Sequence, residues 1–262
     1  MLMVGARLDN QMNFGNPPLF PQSVDLVCIN GSHEEIDFNR AADFALLSDP
    51  GAFLQAVIAF GESADFTLPR DWFDLNRQRR AEWVAKMIAD VDAEAGQPEF
   101  GGRIHPLHLA LDVQTAMGDG DWLVIDGGNT HFWSEIAVNM AGWRGQKLGG
   151  IMHPGNYSLL GVGVSFGVSA KALHPDKNVV VISGDGAFLS GGLSIEAAFQ
   201  EATPITVVID NNGGLDCISQ QQERLFANGQ HFATDFRDIP FHTMCEGLGG
   251  HGELVTKREE LG

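Results

Sequence analysis

Gly-Asp-Gly occurs twice in this 262-residue chain, as Gly118-Asp119-Gly120 and as Gly184-Asp185-Gly186, and only the second copy has an Asn-Asn pair downstream, Asn211-Asn212. Asn212 stands 27 positions after Asp185, an interval that holds a loop, a helix and a strand. If the two strands are parallel neighbours, a right-handed crossover brings both side chains to the same sheet edge. A carboxylate oxygen, an amide oxygen and a backbone carbonyl from the turn Gly213-Gly214 then offer hard ligands to one cation. That set suits Mg2+, which takes oxygens in an octahedron at about 2.1 Å and keeps waters or phosphate oxygens in its remaining positions. The glycines beside Asp185 remove side chains, so backbone N–H groups can approach a phosphate, and the helix expected to follow aims its N-terminus at the same point. The first copy is an internal control: the residue 27 positions after Asp119 is Gln146, no Asn-Asn lies near, and Asp119 reads as a turn residue ahead of a strand. Alone, Asp185 would fit a helix-capping role equally well; its pairing with Asn212 points to a metal.

The elements that must position these residues read as α/β. Strands are expected over 121–126 (DWLVID), 178–183 (NVVVIS) and 205–210 (ITVVID), and helices over 106–117, 159–173 and 193–202. Strands apolar on both faces and separated by helices indicate parallel sheets with helices on both faces. The loops leaving the carboxyl ends of such strands open on one edge, where ligands bind. Three are visible: Asp126-Gly127-Gly128-Asn129-Thr130, Gly184-Asp185-Gly186-Ala187 and Asn211-Asn212-Gly213-Gly214. Upstream, LMVGA and VDLVCIN read as strands, a helix is expected near 50–57, and 77–94 reads as an exposed connecting helix. A boundary is expected near Glu99 to Gly102. The first residues read as a strand already under way and the last as the start of a helix, so both ends look cut.

Sixteen basic against 34 acidic side chains give a net charge of −18, which repels nucleic acid and anionic membranes. No apolar run is long enough to span a bilayer and no signal peptide is recognisable, so a cytoplasmic protein is expected. Cys28, Cys217 and Cys245 show no paired or metal-type spacing and fit reduced core thiols. The nine histidines include no HExxH, and the close pair His105 and His108 has no acidic partner at ligand spacing. His131, beside Asn129-Thr130, is the histidine best placed to face a ligand.

Gly184-Asp185-Gly186 followed by Asn211-Asn212 resembles the thiamine diphosphate signature, and its surroundings resemble the diphosphate-binding domain of the acetohydroxyacid synthase and decarboxylase superfamily. GARLDNQMNFG (5–15) and SHEEIDFNR (32–40) are similar to the end of the middle domain in the branch containing oxalyl-CoA decarboxylase, 2-hydroxyacyl-CoA lyase and synthase-like proteins. The resemblance covers nearly the whole chain. It implies the end of a Rossmann-like middle domain at 1–60, a helical linker at 61–101, and a diphosphate-binding domain at 102–262 that lacks its last elements. The implied cofactors are thiamine diphosphate and Mg2+; FAD or ADP in the middle domain has no support in these residues. Asp185 and Asn212 would bind Mg2+ through side-chain oxygens and Gly214 through its carbonyl. Asn129 and Thr130 would contact the diphosphate, with Gly184, Gly186, Ala187, Asn211 and Gly213 completing the cofactor-binding set. In Ser158-Leu159-Leu160-Gly161, Leu160 would prop the cofactor in its bent shape and the Ser158 carbonyl would accept a hydrogen bond from the 4′-amino group; the family more often carries glycine where Ser158 stands. Leu160 also reads as a plain core leucine.

The implied activity is lysis or formation of a C–C bond next to a carbonyl, on a 2-oxo acid or a 2-hydroxyacyl-CoA. The family's activating glutamate lies on a pyrimidine-binding domain with no candidate here; Glu196 reads as structural. The chain is therefore expected to be a fragment, or less simply a natural split subunit, of a homodimer or homotetramer. Two other readings compete. GVGVSFG (161–167) has the look of a dinucleotide fingerprint of an NAD(P)-dependent oxidoreductase, but no strand precedes it and no acidic residue follows at the required distance. A non-catalytic thiamine diphosphate-binding module is the third. Arg77, Arg79 and Arg80 read as a solvated helix face, with a CoA phosphate contact as the alternative.

Overall fold

The computed structural model describes residues 1–64, 69–97, 100–143 and 145–261. The chain divides into two compact units, Met1–Arg77 and Gln78–Gly262.

In the first unit three short strands, β1 (Leu2–Val4), β2 (Val27–Asn30) and β3 (Phe44–Leu47), pair in parallel in that order. Met3, Leu8, Leu26 and Cys28 form its small core. Helix α1 (Pro50–Ser63) starts where Asp49 accepts a hydrogen bond from the Ala52 N–H at 2.8 Å and Pro50 occupies the first turn, a strong start signal. The sequence reading missed β3, whose FALL lacks polar alternation. Helix α2 (Arg70–Ala95) is longer than the expected 77–94 and buries only Val91. Glu99, at the expected domain boundary, lies outside the described residues.

The second unit is a four-stranded parallel sheet of β4 (Trp122–Asp126), β5 (Gly150–Met152), β6 (Val179–Gly184) and β7 (Thr206–Asp210), in the order β5-β4-β6-β7. The period of two works on both faces. Leu123, Ile125 and Ile182 pack with α3 (Pro106–Ala116) and α4 (Asn129–Trp143) on one side, and Val124, Val179 and Val181 pack with α5 (Gly163–Leu173) on the other. After β4 the chain crosses to β5 on one side and returns to β6 on the other, so the switch point of the sheet lies between β4 and β6. The carboxyl ends of those strands are where a ligand is expected in such a fold.

Four expectations are revised. The helix expected from 159 begins at Gly163, because Ser158 is left-handed at φ 49° and Gly161 has φ 88°. The expected helix 193–202 is a 3-10 turn, Gly192–Ile195, followed by α7 (Glu196–Gln200); α6 (Asp185–Gly191) precedes them. Asn129 and Thr130, expected in a loop, open α4. The end of the chain is a 3-10 turn, Arg258–Glu260, in place of an α-helix, held by Arg258 on the Asp112 carboxylate at 2.6 and 2.9 Å. Helices α8 (Asp216–Leu225) and α9 (Phe241–Gly247) complete the unit. No helix among the described residues is long and apolar enough to cross a membrane.

Candidate active site at the carboxyl edge of the second sheet

Asp185 ends the run of β6 and opens α6, with 2% of its surface exposed. Its carboxylate accepts three backbone N–H bonds, from Gly186 at 2.6 Å, Gly213 at 2.8 Å and Gly214 at 3.0 Å. The Gly214 N–H also points at Asn212 Oδ1, 3.3 Å away. Two side chains 27 positions apart thus converge on one nitrogen, because the register that pairs Gly184 with Asp210 ends β6 and β7 side by side. Asp119 meets no such group; Oδ1 accepts the Lys147 N–H at 3.3 Å in a turn, as the control required.

The electrostatics are unbalanced. Burial pushes the Asp185 carboxyl above its ordinary range; the three N–H bonds oppose this and the Asp216 charge adds to it. Burial raises Asp210 to about 6, with Thr130 opposing it and Asp185 and Asp216 adding repulsion. Thr130 Oγ1 donates to Asp210 at 2.9 Å and Asn129 Nδ2 donates to Asp216 at 2.6 Å. Asn129 and Thr130, expected at a diphosphate, here tie the β4 edge to Asp216 at the start of α8 and to Asp210 at the end of β7.

Several glycines are required by close approach. Gly127 has φ 109°, and a Cβ there would stand 2.9 Å from the Gly184 nitrogen, so only glycine lets the ends of β4 and β6 abut. A Cβ on Gly186 would stand 2.5 Å from Leu215 Cδ2, and one on Gly214 would overlap the Thr234 carbonyl. The space beside Gly186 is therefore filled by protein, which revises the expectation that its missing side chain leaves room for a phosphate. Gly184 and Ala187 are buried, and Gly213 turns the chain at φ 87°. Asn211 departs from its expected place: its amide donates to the Ile239 carbonyl at 3.2 Å, since consecutive residues after a strand point apart.

Residues 126–262 match the family described as thiamine pyrophosphate enzyme, C-terminal TPP binding domain. The chain belongs to the thiamine pyrophosphate enzyme family. It is similar to the 2-hydroxyacyl-CoA lyase of Oryza sativa subsp. japonica, 26% identical over 269 residues that cover 99% of this chain and 45% of that protein. The oxalyl-CoA decarboxylase of Escherichia coli (strain K12) is 25% identical over 262 residues, covering 100% of this chain and 44% of that protein. The catabolic acetolactate synthase of Raoultella terrigena is 24% identical over 224 residues, 85% of this chain and 37% of that protein. The chain spans less than half the length of these relatives.

For a member of the thiamine pyrophosphate enzyme family, the site fits a divalent cation. A buried carboxylate and an amide oxygen converge, and Asp185, Asp210 and Asp216 repel one another, with Arg103 opposing the effect at Asp210. The turn from Ser158 to Gly163 is held by Asp126, which the sequence placed at the head of the first ligand-edge loop without a role of its own. Its carboxylate, 1% exposed, accepts from the N–H groups of Gly127 (2.8 Å), Gly161 (3.2 Å) and Gly163 (2.6 Å). Its signal lay in the aspartate that closes an apolar strand. Ser158 occupies the left-handed conformation that favours glycine. Leu160 is 37% exposed, so the reading of it as a plain core leucine is corrected.

Within GVGVSFG, a Cβ on Gly161 would press on Gly191, one on Gly163 on Asp126, and one on Gly167 on Val181, so these glycines serve packing and no dinucleotide. Glu196 is exposed at the start of α7. Arg80 is half-buried and donates to the Asn139 carbonyl at 2.8 Å, so the solvated-face reading fails for it. His105 and His108 find acidic neighbours on α2, with His108 Nε2 2.8 Å from Asp92 and His105 Nε2 3.9 Å from Glu94, which sequence spacing could not show. Cys217 packs beside Gly128.

Proposed function

We propose that this chain supplies the diphosphate- and Mg2+-binding half of a thiamine diphosphate-dependent enzyme that cleaves or forms a C–C bond next to a carbonyl, on a 2-oxo acid or a 2-hydroxyacyl-CoA. The convergence of Asp185 and Asn212 on the Gly214 N–H carries the proposal. Asp185 and Asn212 would hold Mg2+ through side-chain oxygens, joined by the Gly214 carbonyl. Asn129, Thr130 and the backbone of Gly184, Ala187 and Gly213 would surround the diphosphate. Thiamine diphosphate, when bound, supplies a nucleophilic carbon that adds to the carbonyl and takes up the electron pair of the breaking C–C bond. The chain's task is to bind and orient. Leu160, exposed beside the left-handed Ser158, would press the cofactor into its bent shape, and the Ser158 carbonyl would hold the 4′-amino group.

The proposal includes a domain plan and an assembly. Residues 1–60 belong to a middle domain, 61–101 to a linker and 102–262 to the diphosphate-binding domain. A pyrimidine-binding domain carrying the activating glutamate completes the site in a cytoplasmic homodimer or homotetramer. Mixed with such a domain, thiamine diphosphate and Mg2+, the chain should turn over pyruvate or a 2-hydroxyacyl-CoA, and EDTA should return the rate to background. Turnover that persists in Asp185→Ala would contradict the reading.

A further inference from the structure

The start of α4 carries a second group of metal-ligating side chains that the proposed Mg2+ site does not use. His131 and Glu135 stand one helical turn apart, with His131 Nε2 2.9 Å from Glu135 Oε1. His153, which follows β5, brings Nδ1 to 4.0 Å from the same oxygen. One ligand atom from each of the three residues lies within 4.8 Å of the other two. The imidazoles of His131 and His153 meet edge to face, 5.4 Å between centroids. We propose that His131, Glu135 and His153 form a binding site for a transition-metal ion of the Zn2+ type, sharing no residue with the oxygen ligands at Asp185.

The ligand types decide the class of ion. Two imidazoles and one carboxylate suit zinc and its neighbours in the first transition row, whereas Mg2+ wants oxygen alone. An ion at about 2.1 Å from each donor in a tetrahedron sets the donors about 3.4 Å apart, a spacing that the 2.9 Å and 4.0 Å separations from Glu135 Oε1 bracket, and a pair at the 4.8 Å limit must close by ~1.4 Å. The Gly155 N–H donates to His153 Nδ1 at 3.2 Å, so this nitrogen carries the lone pair, and an ion binds it by taking the place of that N–H. The His131 side chain is 14% exposed while those of Glu135 and His153 are 42% and 41% exposed, so the ion has a firm inner ligand and an open approach. Three protein ligands leave a coordination position for water or for a carbonyl or carboxylate oxygen, as in open zinc sites.

The test is calorimetric titration of ZnCl2 into the tag-free chain held in saturating Mg2+. One Zn2+ should bind per chain without being displaced by Mg2+. Loss of outer-sphere support alone weakens metal sites by about tenfold or more, so His131→Ala, His153→Ala and Glu135→Gln should each lose at least that much affinity. Asp185→Ala should keep its Zn2+. Should His131→Ala fail to fold, His153→Ala in its partly exposed segment carries the comparison, and Co2+ in place of Zn2+ should give a visible absorption band that this variant lacks. Absence of Zn2+ binding, equal affinity in the wild-type chain and the His153→Ala variant, or loss of the Zn2+ on Asp185→Ala would each overturn the proposal.

Discussion

Asp126 joins the β4 edge to the turn that leads into α5, and it does so with a single buried carboxylate that accepts three N–H groups. Removing it in Asp126→Ala leaves buried donors without acceptors and should cost about 2–3 kcal/mol in a denaturant titration. Asp126→Asn keeps one acceptor oxygen and should cost clearly less; equal losses would mean that packing, and not these bonds, is what the residue provides. His105 sets a pH dependence of its own. It is 2% exposed, its ring nitrogen accepts the Leu107 N–H at 3.1 Å at the start of α3, and burial first, then the neighbouring His108, lowers its pKa from 6.5 to about 4. The fold therefore excludes a proton that the unfolded chain takes up below pH 6.5. This stability is full above pH 6.5 and is lost as the pH falls towards 4, on the order of 3 kcal/mol in all. Melting temperatures between pH 7 and 4.5 should fall less steeply in His105→Asn, which keeps a capping side chain without the titration. An unchanged slope would contradict the assignment.

At the level of elements, the Ser158 turn is placed by backbone seated on backbone. A Cβ on Gly191, at the end of α6, would overlap the Gly161 carbonyl, and neither atom is the end of a flexible side chain. Gly191→Ala should thus displace the turn that carries Leu160, costing about 1–3 kcal/mol of stability and weakening cofactor affinity more than Ala at exposed Gly142 does. Equal cofactor affinity in both variants would show that the turn is not held this way. What the sequence made legible follows the same division. Runs such as VVVIS, apolar on both faces, announced β4, β6 and β7 and hence the parallel sheet, and the crossover interval from Asp185 to Asn212 announced their convergence. The three-residue β5 and the exposed β3 carry too few residues for a periodicity to register. The His131, Glu135 and His153 group needed a contact between segments that no local pattern encodes.

For the molecule as a whole, the first unit spends little of its apolar surface on its own core. All four residues of β3 are exposed, α1 buries none, and Phe44, Ile58 and Phe60 are 58%, 61% and 72% exposed. Phe60 keeps most of its ring outside this core, so Phe60→Lys should change stability by no more than about 0.5 kcal/mol in a denaturant titration. A large loss of stability would place Phe60 in the core of its unit after all. The charge of −18 acts in the other direction, making the chain inhospitable to a diphosphate except where a cation bridges the two.

That bridge can be measured directly, by titrating thiamine diphosphate into the assembled enzyme with and without Mg2+ in an isothermal calorimeter. Heat that depends on Mg2+ in the wild-type and Asp119→Ala proteins, and that vanishes in Asp185→Ala and Asn212→Ala, is the predicted result. Undiminished Mg2+-dependent affinity in Asp185→Ala, or its loss in Asp119→Ala, would contradict the account.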